Sequence, residues 1–223
     1  MEHPFLFSNL LGPWAFEYKH IIYSWVAMAI LIAIGITATR SIKLIPGKGQ
    51  NFLELAVGGI EDFMVSVVGE EGRWVLPVVA TVFLYILTCN LIGLIPGFFP
   101  PTANINTTAS CAVVVFFFTH YIGIRYHGVK YIKHFTGPVL ALAPLFIVLE
   151  IIGHLARVLS LSFRLFGNME GHELVLGILF MLAGAFFAPL PIMALGVFVS
   201  LVQAFVFFLL SCIYFAGAME HAH

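Results

Sequence analysis

Residues 138–218 are apolar along almost their whole length, and this run constrains the fold more than any other feature of the sequence. A soluble domain has a charged residue at about a quarter of its positions. In this chain Asp, Glu, Lys and Arg make up 9% of the residues, and the mean hydropathy is +1.04. This small amount of polar surface cannot keep the chain dissolved in water. Its solvent is therefore the lipid bilayer. We predict an all-α integral membrane protein with about five membrane helices and one amphipathic helix on the cytoplasmic face.

The chain is expected to form a single membrane domain over residues 1–223. Its predicted elements are a first span over 21–39, an interfacial helix over 51–70, a second span over 74–95, a third span over 110–126, and a helical hairpin over 138–182 and 187–217. About 20 apolar residues cross a bilayer as a helix. The two hairpin helices are longer than that, so we expect them to tilt strongly. Gly184, Pro189 and Pro191 break the apolar run and place the turn between residues 183 and 191.

The loops differ in charge, and this predicts the topology. Cations follow the first span and the third span, at Arg40, Lys43, Lys48, Arg125, Lys130 and Lys133. The loop after the second span, residues 96–110, has no charge. Since cytoplasmic loops are enriched in Lys and Arg, we expect the N-terminus outside and the C-terminus in the cytoplasm. No targeting segment is recognisable at the start, which is compatible with a multi-pass protein of the bacterial cytoplasmic (inner) membrane, although an organelle-encoded membrane protein would also lack one.

Several ionisable side chains lie inside the long apolar run. Glu150, Arg157 and Arg164 are spaced by seven residues, so on a helix they form one stripe. His154 and Asn168 lie close to the same line. This segment therefore combines the pattern of a membrane helix with a polar face.

The opposite side of this helix is also polar. Glu173 points away from Arg164, and His172 lies between the two faces. A charged side chain at mid-membrane costs about 2.5–3.5 kcal/mol, so such groups have to face water, each other or a charged partner. Glu150 and Arg157 are close enough to pair within the helix, which would be a purely structural role. Arg164 and Glu173 cannot neutralise each other, which favours a function for both.

Other polar residues carry weaker signals. His120, His127 and His134 are spaced by seven, which is compatible with a metal site, but the adjacent lysines favour histidines at the membrane interface. Gln203 either joins helices by a hydrogen bond or lies beside Arg164. No metal or other cofactor is expected, and no dense basic patch suggests a nucleic-acid partner.

At these residues the sequence resembles subunit a of the F-type ATP synthases. The segments that carry the resemblance are "NLIGLIPGFFPPTANINTT", "GVKYIKHFTGP", "SLSFRLFGNMEGHELV" and "LVQAFVFFLLSCIYFAGAMEH". They follow one another in the family's order and extend over nearly the whole chain. The resemblance implies a proton-translocating stator subunit that is not catalytic by itself. It also implies two offset half-channels that lead to a rotating ring of c subunits.

The resemblance assigns a role to individual residues. Arg164 matches the arginine gate that faces the ring carboxylate. The implied proton path comprises Glu173, His172, Asn168, Gln203, Asn90, Glu150, Ser160 and His154. Glu173 and Asn90 match the inlet, and Glu150 and Ser160 match the outlet. The chain departs from one version of the family pattern, because Gly196 occupies the place of a histidine on the last helix and the histidine is at 172.

The implied partners are c-ring proteolipid subunits, peripheral-stalk b subunits and the lipid bilayer. A secondary transporter or ion channel of the plasma membrane is the main alternative. Transporters usually bind substrate between structural repeats with broken helices, and no repeat is apparent in this sequence. A purely structural membrane subunit is a further alternative. The sequence leaves the choice between H⁺ and Na⁺ open.

Overall fold

The computed structural model describes residues 17–40, 47–95, 97–128, 131, 143–183 and 189–220. Within these ranges the chain forms six α-helices and no strand. The helices are α1 (Lys19–Thr39), α2 (Lys48–Val68), α3 (Leu76–Ile92), α4 (Ile105–His127), α5 (Ala143–Ala183) and α6 (Pro189–Met219). Two 3₁₀ segments, Glu70–Val75 and Pro101–Ala103, precede α3 and α4. The predicted all-α class is confirmed.

Five helical segments of the described chain are long and apolar enough to cross a membrane. They are Lys19–Thr39, Glu70–Ile92, Ile105–His127, Pro144–Leu179 and Pro191–Met219. Because lipid offers no hydrogen bonds to the backbone, a chain of such segments is stable there only as helices. The prediction of a multi-pass membrane protein is therefore confirmed.

Helix α2 is different, because one of its sides is polar. Met64 is buried in the core and Ile60 and Phe63 pack against it, whereas Glu54 and Asp62 are exposed. The helix ends at Gly69, whose φ of 88° lies in the left-handed region that favours glycine. This pattern is typical of a helix that lies along a membrane surface.

Some of the residues that entered the sequence predictions are outside the described ranges. These are Lys43, Lys130, Lys133, His134 and Gly184. The predicted turn between α5 and α6 falls largely on residues 184–188, which are also outside the described part.

Aromatic side chains contribute to the packing between the helices. Helix α5 packs against α4 and α6, and α6 packs against α3. The ring centroid of Phe208 lies 5.4 Å from that of Phe83, and the centroid of Phe215 lies 5.4 Å from that of Phe118. Lipid tails are as apolar as these side chains, so van der Waals contact holds the helices together more than hydrophobic transfer does.

The two ends of the bundle have different anchors, and we name each end after one cation. At the Lys19 end, α1 begins, α5 ends and the loop 97–103 connects α3 with α4. There the Tyr23 hydroxyl donates a hydrogen bond to the Gly97 carbonyl (3.2 Å), and the Lys19 ammonium lies 3.8 Å from the ring centroid of Phe99. These contacts fix the start of α1 against the loop.

At the Arg125 end, α4 and α6 end and α5 begins. The Trp74 indole N–H donates to the Tyr126 hydroxyl (3.3 Å), which in turn donates to the Glu71 carbonyl (3.1 Å). The Arg125 guanidinium lies 4.2 Å from the Trp74 ring centroid. Trp, Tyr and Arg are the residues that anchor helices at the membrane–water interface.

Candidate functional site

Arg164 lies near the middle of α5 with its side chain exposed on the outside of the bundle. Its helix neighbours Leu161 and Leu165 are buried and hold that side of α5 in the core. Ser160 and Asn168, one turn before and one turn after Arg164, are exposed beside it. Within the described ranges the guanidinium forms no hydrogen bond or ion pair. The structure thus presents an unneutralised cation on an outer, largely apolar surface.

Gln203 on α6 lies next to Arg164. The two side chains line one small cavity between α5 and α6, together with Leu161, Leu165, Val206, Phe207 and Leu210. Leu165 and Phe207 are buried in the core, so this cavity is closed on its inner side by apolar groups. The antiparallel hairpin therefore brings together two polar residues that are far apart in the sequence.

A second polar cluster lies at the Arg125 end. The His154 Nε2 atom is 3.1 Å from the Glu150 Oε1 atom, and His154 is only 8% exposed. The Arg157 guanidinium lies 5.4 Å from the ring centroid of Tyr214 on α6. The structure does not form the Glu150–Arg157 pair that was open from the sequence. Glu150 contacts His154 instead, because residues four apart are neighbours on a helix surface.

This cluster lines a cavity of about 300 Å³, which we call the Glu150 cavity. Its polar lining is Thr119, His127, Tyr131, Glu150, His154, Arg157, Tyr214 and Glu220. A smaller cavity shares Thr119, His154, Arg157 and Tyr214 with the Glu150 cavity and extends to Leu161. Leu161 also lines the cavity that holds Arg164 and Gln203. Three cavities with overlapping linings thus follow one another between the Arg125 end and Arg164.

A third polar cluster lies at the Lys19 end, around Glu173. The Oε2 atom of this carboxyl is buried and has no hydrogen-bond partner in the described part of the chain. The Lys19 ammonium attracts the Glu173 carboxylate electrostatically, and Glu170 repels it. A buried carboxyl oxygen without a hydrogen-bond partner is costly, which singles out Glu173 among the acidic residues of the described chain.

His172 reaches the facing helix α6. Its Nε2 atom lies 3.1 Å from the Ile192 carbonyl oxygen. A β-carbon at Gly196 would overlap both this imidazole and the Leu94 side chain. The glycine on α6 therefore provides the space that the histidine of α5 occupies.

Asn90 lies on α3 near the same end and is buried. Its amide donates to the Ser200 carbonyl (3.3 Å) and accepts from the Thr102 hydroxyl (2.6 Å). The Ser200 hydroxyl is fully buried and has no hydrogen-bond partner in the described ranges. These groups join α3, α6 and the segment Pro101–Ala103 by polar contacts.

The cluster around Glu150, the residue Arg164 and the cluster around Glu173 follow one another along α5. At 1.5 Å per residue, Glu150 is about 21 Å from Arg164 along the helix axis, and Glu173 is about 14 Å from Arg164 in the other direction. Arg164 therefore separates a polar cluster at the Arg125 end from another at the Lys19 end. No cluster of His, Cys, Asp or Glu suited to a metal ion occurs among the described residues.

Several residues of these clusters did not stand out in the sequence. They are Lys19, Thr102, Tyr131, Ser200 and Tyr214. Each is a common residue type in an interfacial or helical segment, so only the packing of separate helices reveals its position. Thr102 alone had a local signal, because it lies in the uncharged, proline-rich loop after the second span.

Comparisons with known proteins agree with the resemblance found in the sequence. The family described as ATP synthase A chain matches residues 21–216. Proteins named ATP synthase subunit a are similar over the full length of both chains. The protein from Desulfosudis oleivorans is 67% identical, and those from Syntrophobacter fumaroxidans and Geotalea daltonii are each 56% identical. This chain therefore belongs to the ATP synthase A chain family.

Proposed function

We propose that this chain is the proton-translocating stator subunit of an ATP synthase, in which Arg164 separates two half-channels and faces the carboxylates of a rotating c-ring. The observation that carries this proposal is the placement of Arg164, exposed and without an ion pair in the described ranges, between two polar clusters. Its outward position requires an anionic partner on another polypeptide, because a lone cation in hydrocarbon is costly.

An arginine suits this role for two chemical reasons. The guanidinium stays protonated at any working pH, whereas a buried lysine can lose its proton. It also has five donors and no acceptor, so a proton cannot pass through it from one cluster to the other. Protons then have to travel on the ring carboxylates, which are ionised beside Arg164 and neutral when they face lipid. Asn168 and Gln203 are the polar neighbours of Arg164 on the two hairpin helices.

The two clusters supply the half-channels. Glu173, His172 and Asn90 form the inlet, with Glu173 receiving protons from the Lys19 end. The three cavities with overlapping linings form the outlet, lined by Glu150 and His154, with Ser160 exposed near its inner end. A carboxyl and an imidazole can both exchange protons near neutral pH when their surroundings are tuned. The membrane potential provides about 2.3 kcal/mol per proton per 100 mV.

The proposed orientation follows from the charged loops. The Lys19 end faces the outside, and the Arg125 end faces the cytoplasm of a bacterium, with the chain in the inner membrane. The proposed partners are the c-ring proteolipid subunits at the Arg164 surface, and the peripheral-stalk b subunits and lipid at other exposed apolar faces. The helix α2 then lies on the cytoplasmic face.

Cysteine cross-linking in the assembled complex tests the surface that faces the ring. Asn168→Cys is expected to form a disulfide with a cysteine placed beside the ring carboxylate, because residue 168 is exposed next to Arg164. Met169→Cys is the matched control, since Met169 is the next residue on α5 and is buried. Equal cross-linking of both variants, or none from position 168, would contradict the proposed interface.

Replacing Glu173 with glutamine is expected to slow proton entry by about tenfold and to leave the complex assembled. The amide keeps the size of the carboxyl but cannot carry a proton between the inlet and the ring. The measurement is passive proton flux through the complex in vesicles, beside the yield of purified complex. Glu54→Gln on the exposed side of α2 is the control, and a complex that fails to assemble in Glu173→Gln alone would indicate a structural role instead.

A further inference from the structure

Ser200 on α6 carries a buried hydroxyl that forms no hydrogen bond within the described part of the chain. The residue is 0% exposed, and its Oγ atom is without a partner there. Three other buried hydroxyls of the membrane helices, those of Thr119, Ser162 and Ser211, each donate to the carbonyl oxygen four residues earlier. Serine and threonine often satisfy their hydroxyls in this way in membrane helices. The Ser200 hydroxyl is therefore open to a different partner.

The contact between α3 and α6 fixes the position of this residue. The Asn90 amide donates to the Ser200 carbonyl oxygen (3.3 Å), and the amide oxygen accepts from the Thr102 hydroxyl (2.6 Å). All three residues are buried. One turn further along both helices, a β-carbon at Gly196 would meet the Leu94 side chain. The two helices are thus antiparallel, with Asn90 opposite Ser200.

Ser200 lies between two polar contacts of the α5–α6 hairpin. The His172 imidazole meets α6 at Gly196, and Gln203 lines one cavity with Arg164. At 1.5 Å per residue, Ser200 is about 6 Å from Gly196 and about 4.5 Å from Gln203 along the helix axis, and all three lie within about 60° of one another around it. Two consecutive hydrogen bonds span about 5.5 Å, so one bridging water covers a step of this length.

The facing part of α5 is apolar on its inner side. The side chains of α5 that are buried between Arg164 and His172 are Leu165 and Met169, each 2% exposed. Asn168 is exposed on the outer surface instead. A proton that moves inside the bundle from His172 towards Arg164 therefore meets apolar side chains on α5 and the Ser200 hydroxyl on α6.

We infer that Ser200 is a further proton-carrying residue of the inlet, between His172 and the Arg164 surface. This inference rests on the proposed function. A hydroxyl has one donor and two acceptor positions, so it can take up a proton on one side and release one on the other. A protonated water on the His172 side gives a proton to the Ser200 Oγ atom, and the hydroxyl gives its own proton to a water on the Gln203 side. One O–H bond forms and one breaks, so the serine is neutral before and after the step.

The test measures passive proton flux through the whole complex in vesicles, beside the yield and thermal stability of the purified complex. Ser200→Ala is expected to lower the flux about fivefold, less than the loss of a general base in a closed site, because water can partly replace the hydroxyl. Yield and stability should stay at the wild-type level, since the hydroxyl bonds to no described group. Ser211→Ala is the matched control and should keep wild-type flux, because Ser211 is also buried on α6 but its hydroxyl donates to the Phe207 carbonyl.

A second pair of variants separates the hydroxyl from the size of the side chain. Ser200→Thr and Ser200→Val add nearly the same volume, and only threonine keeps a hydroxyl. The threonine variant should therefore carry about fivefold more flux than the valine variant, whatever the added methyl group does to both. If neither assembles, the comparison of wild type, Ser200→Ala and Ser211→Ala decides.

Three outcomes would overturn the role of Ser200. They are wild-type flux in Ser200→Ala, equal flux in the assembled threonine and valine variants, and a loss in Ser211→Ala as large as that in Ser200→Ala. The proposed function fails separately. If Arg164→Ala keeps coupled synthesis, the stator role itself is wrong. If Arg164→Ala uncouples the complex while Ser200→Ala carries wild-type flux, only the role of Ser200 is wrong.

Discussion

Arg164→Ala is expected to abolish coupled ATP synthesis and to allow protons to leak through the complex. In the proposed mechanism, removal of the guanidinium takes from the ionised ring carboxylate the cation that stabilises it in low dielectric. An unneutralised charge at mid-membrane costs about 3 kcal/mol, which corresponds to about a hundredfold loss of rate. The barrier between the two polar clusters is removed at the same time, because the space can then admit water. The measurements are ATP synthesis and passive proton flux in vesicles.

Two further variants test whether the effect of Arg164→Ala is specific to a permanent cation at this position. Arg164→Lys keeps a cation but not a permanent one, so coupling should fall with a leak smaller than that of alanine. Arg73→Ala is the control, because Arg73 is an exposed arginine paired with Glu61 and Glu70 away from the α5–α6 contact. ATP-driven proton pumping that persists in Arg164→Ala would exclude the gate.

The fold class was predictable because hydropathy depends on composition within short windows. Apolar runs with few charges identified the membrane helices, and the recurring acidic residues of 51–70 distinguished α2 from them. The choice of Arg164 as a candidate functional residue also came from the sequence, since a cation in an apolar helix has an energetic cost that demands a partner. Helical periodicity was enough to place Arg164 and Glu173 on different sides of α5.

Contacts between helices were not predictable in the same way. The position of His120 beside His154 depends on the register between α4 and α5, which a single sequence does not contain. The heptad spacing of His120 and His127 indicated one face of a helix but not what that face touches. The Glu150–Arg157 pair was open from spacing alone, and the structure replaced it with Glu150–His154. The hydrogen bond between Asn90 and Thr102 likewise required the loop after α3 to fold back on it.

Gly196→Val is expected to disrupt the proposed inlet by steric overlap. The added side chain would collide with the His172 imidazole and with the buried Leu94 side chain. Inserting carbon atoms into a packed core typically lowers the free energy of unfolding by about 1–3 kcal/mol. The upper value corresponds to about a hundredfold fall in the folding equilibrium constant. The loss should appear as slow proton entry and as lower thermal stability of the purified complex. Gly177→Val is the matched control, because a β-carbon at Gly177 on α5 meets open space.

Exchanging the residues at positions 172 and 196 distinguishes a steric effect of Gly196→Val from a chemical one. In a double variant that combines Gly196→His with His172→Gly, an imidazole would enter the same space from α6 instead of α5. Proton flux should then recover to within about threefold of wild type, because an imidazole can again relay protons beside Glu173. Adding His172→Gly to Gly196→Val should relieve the overlap and restore thermal stability, but it should not restore proton flux. If it restored both, the imidazole would serve only to fill the space between the helices, and proton entry would depend on Glu173 and Asn90 alone.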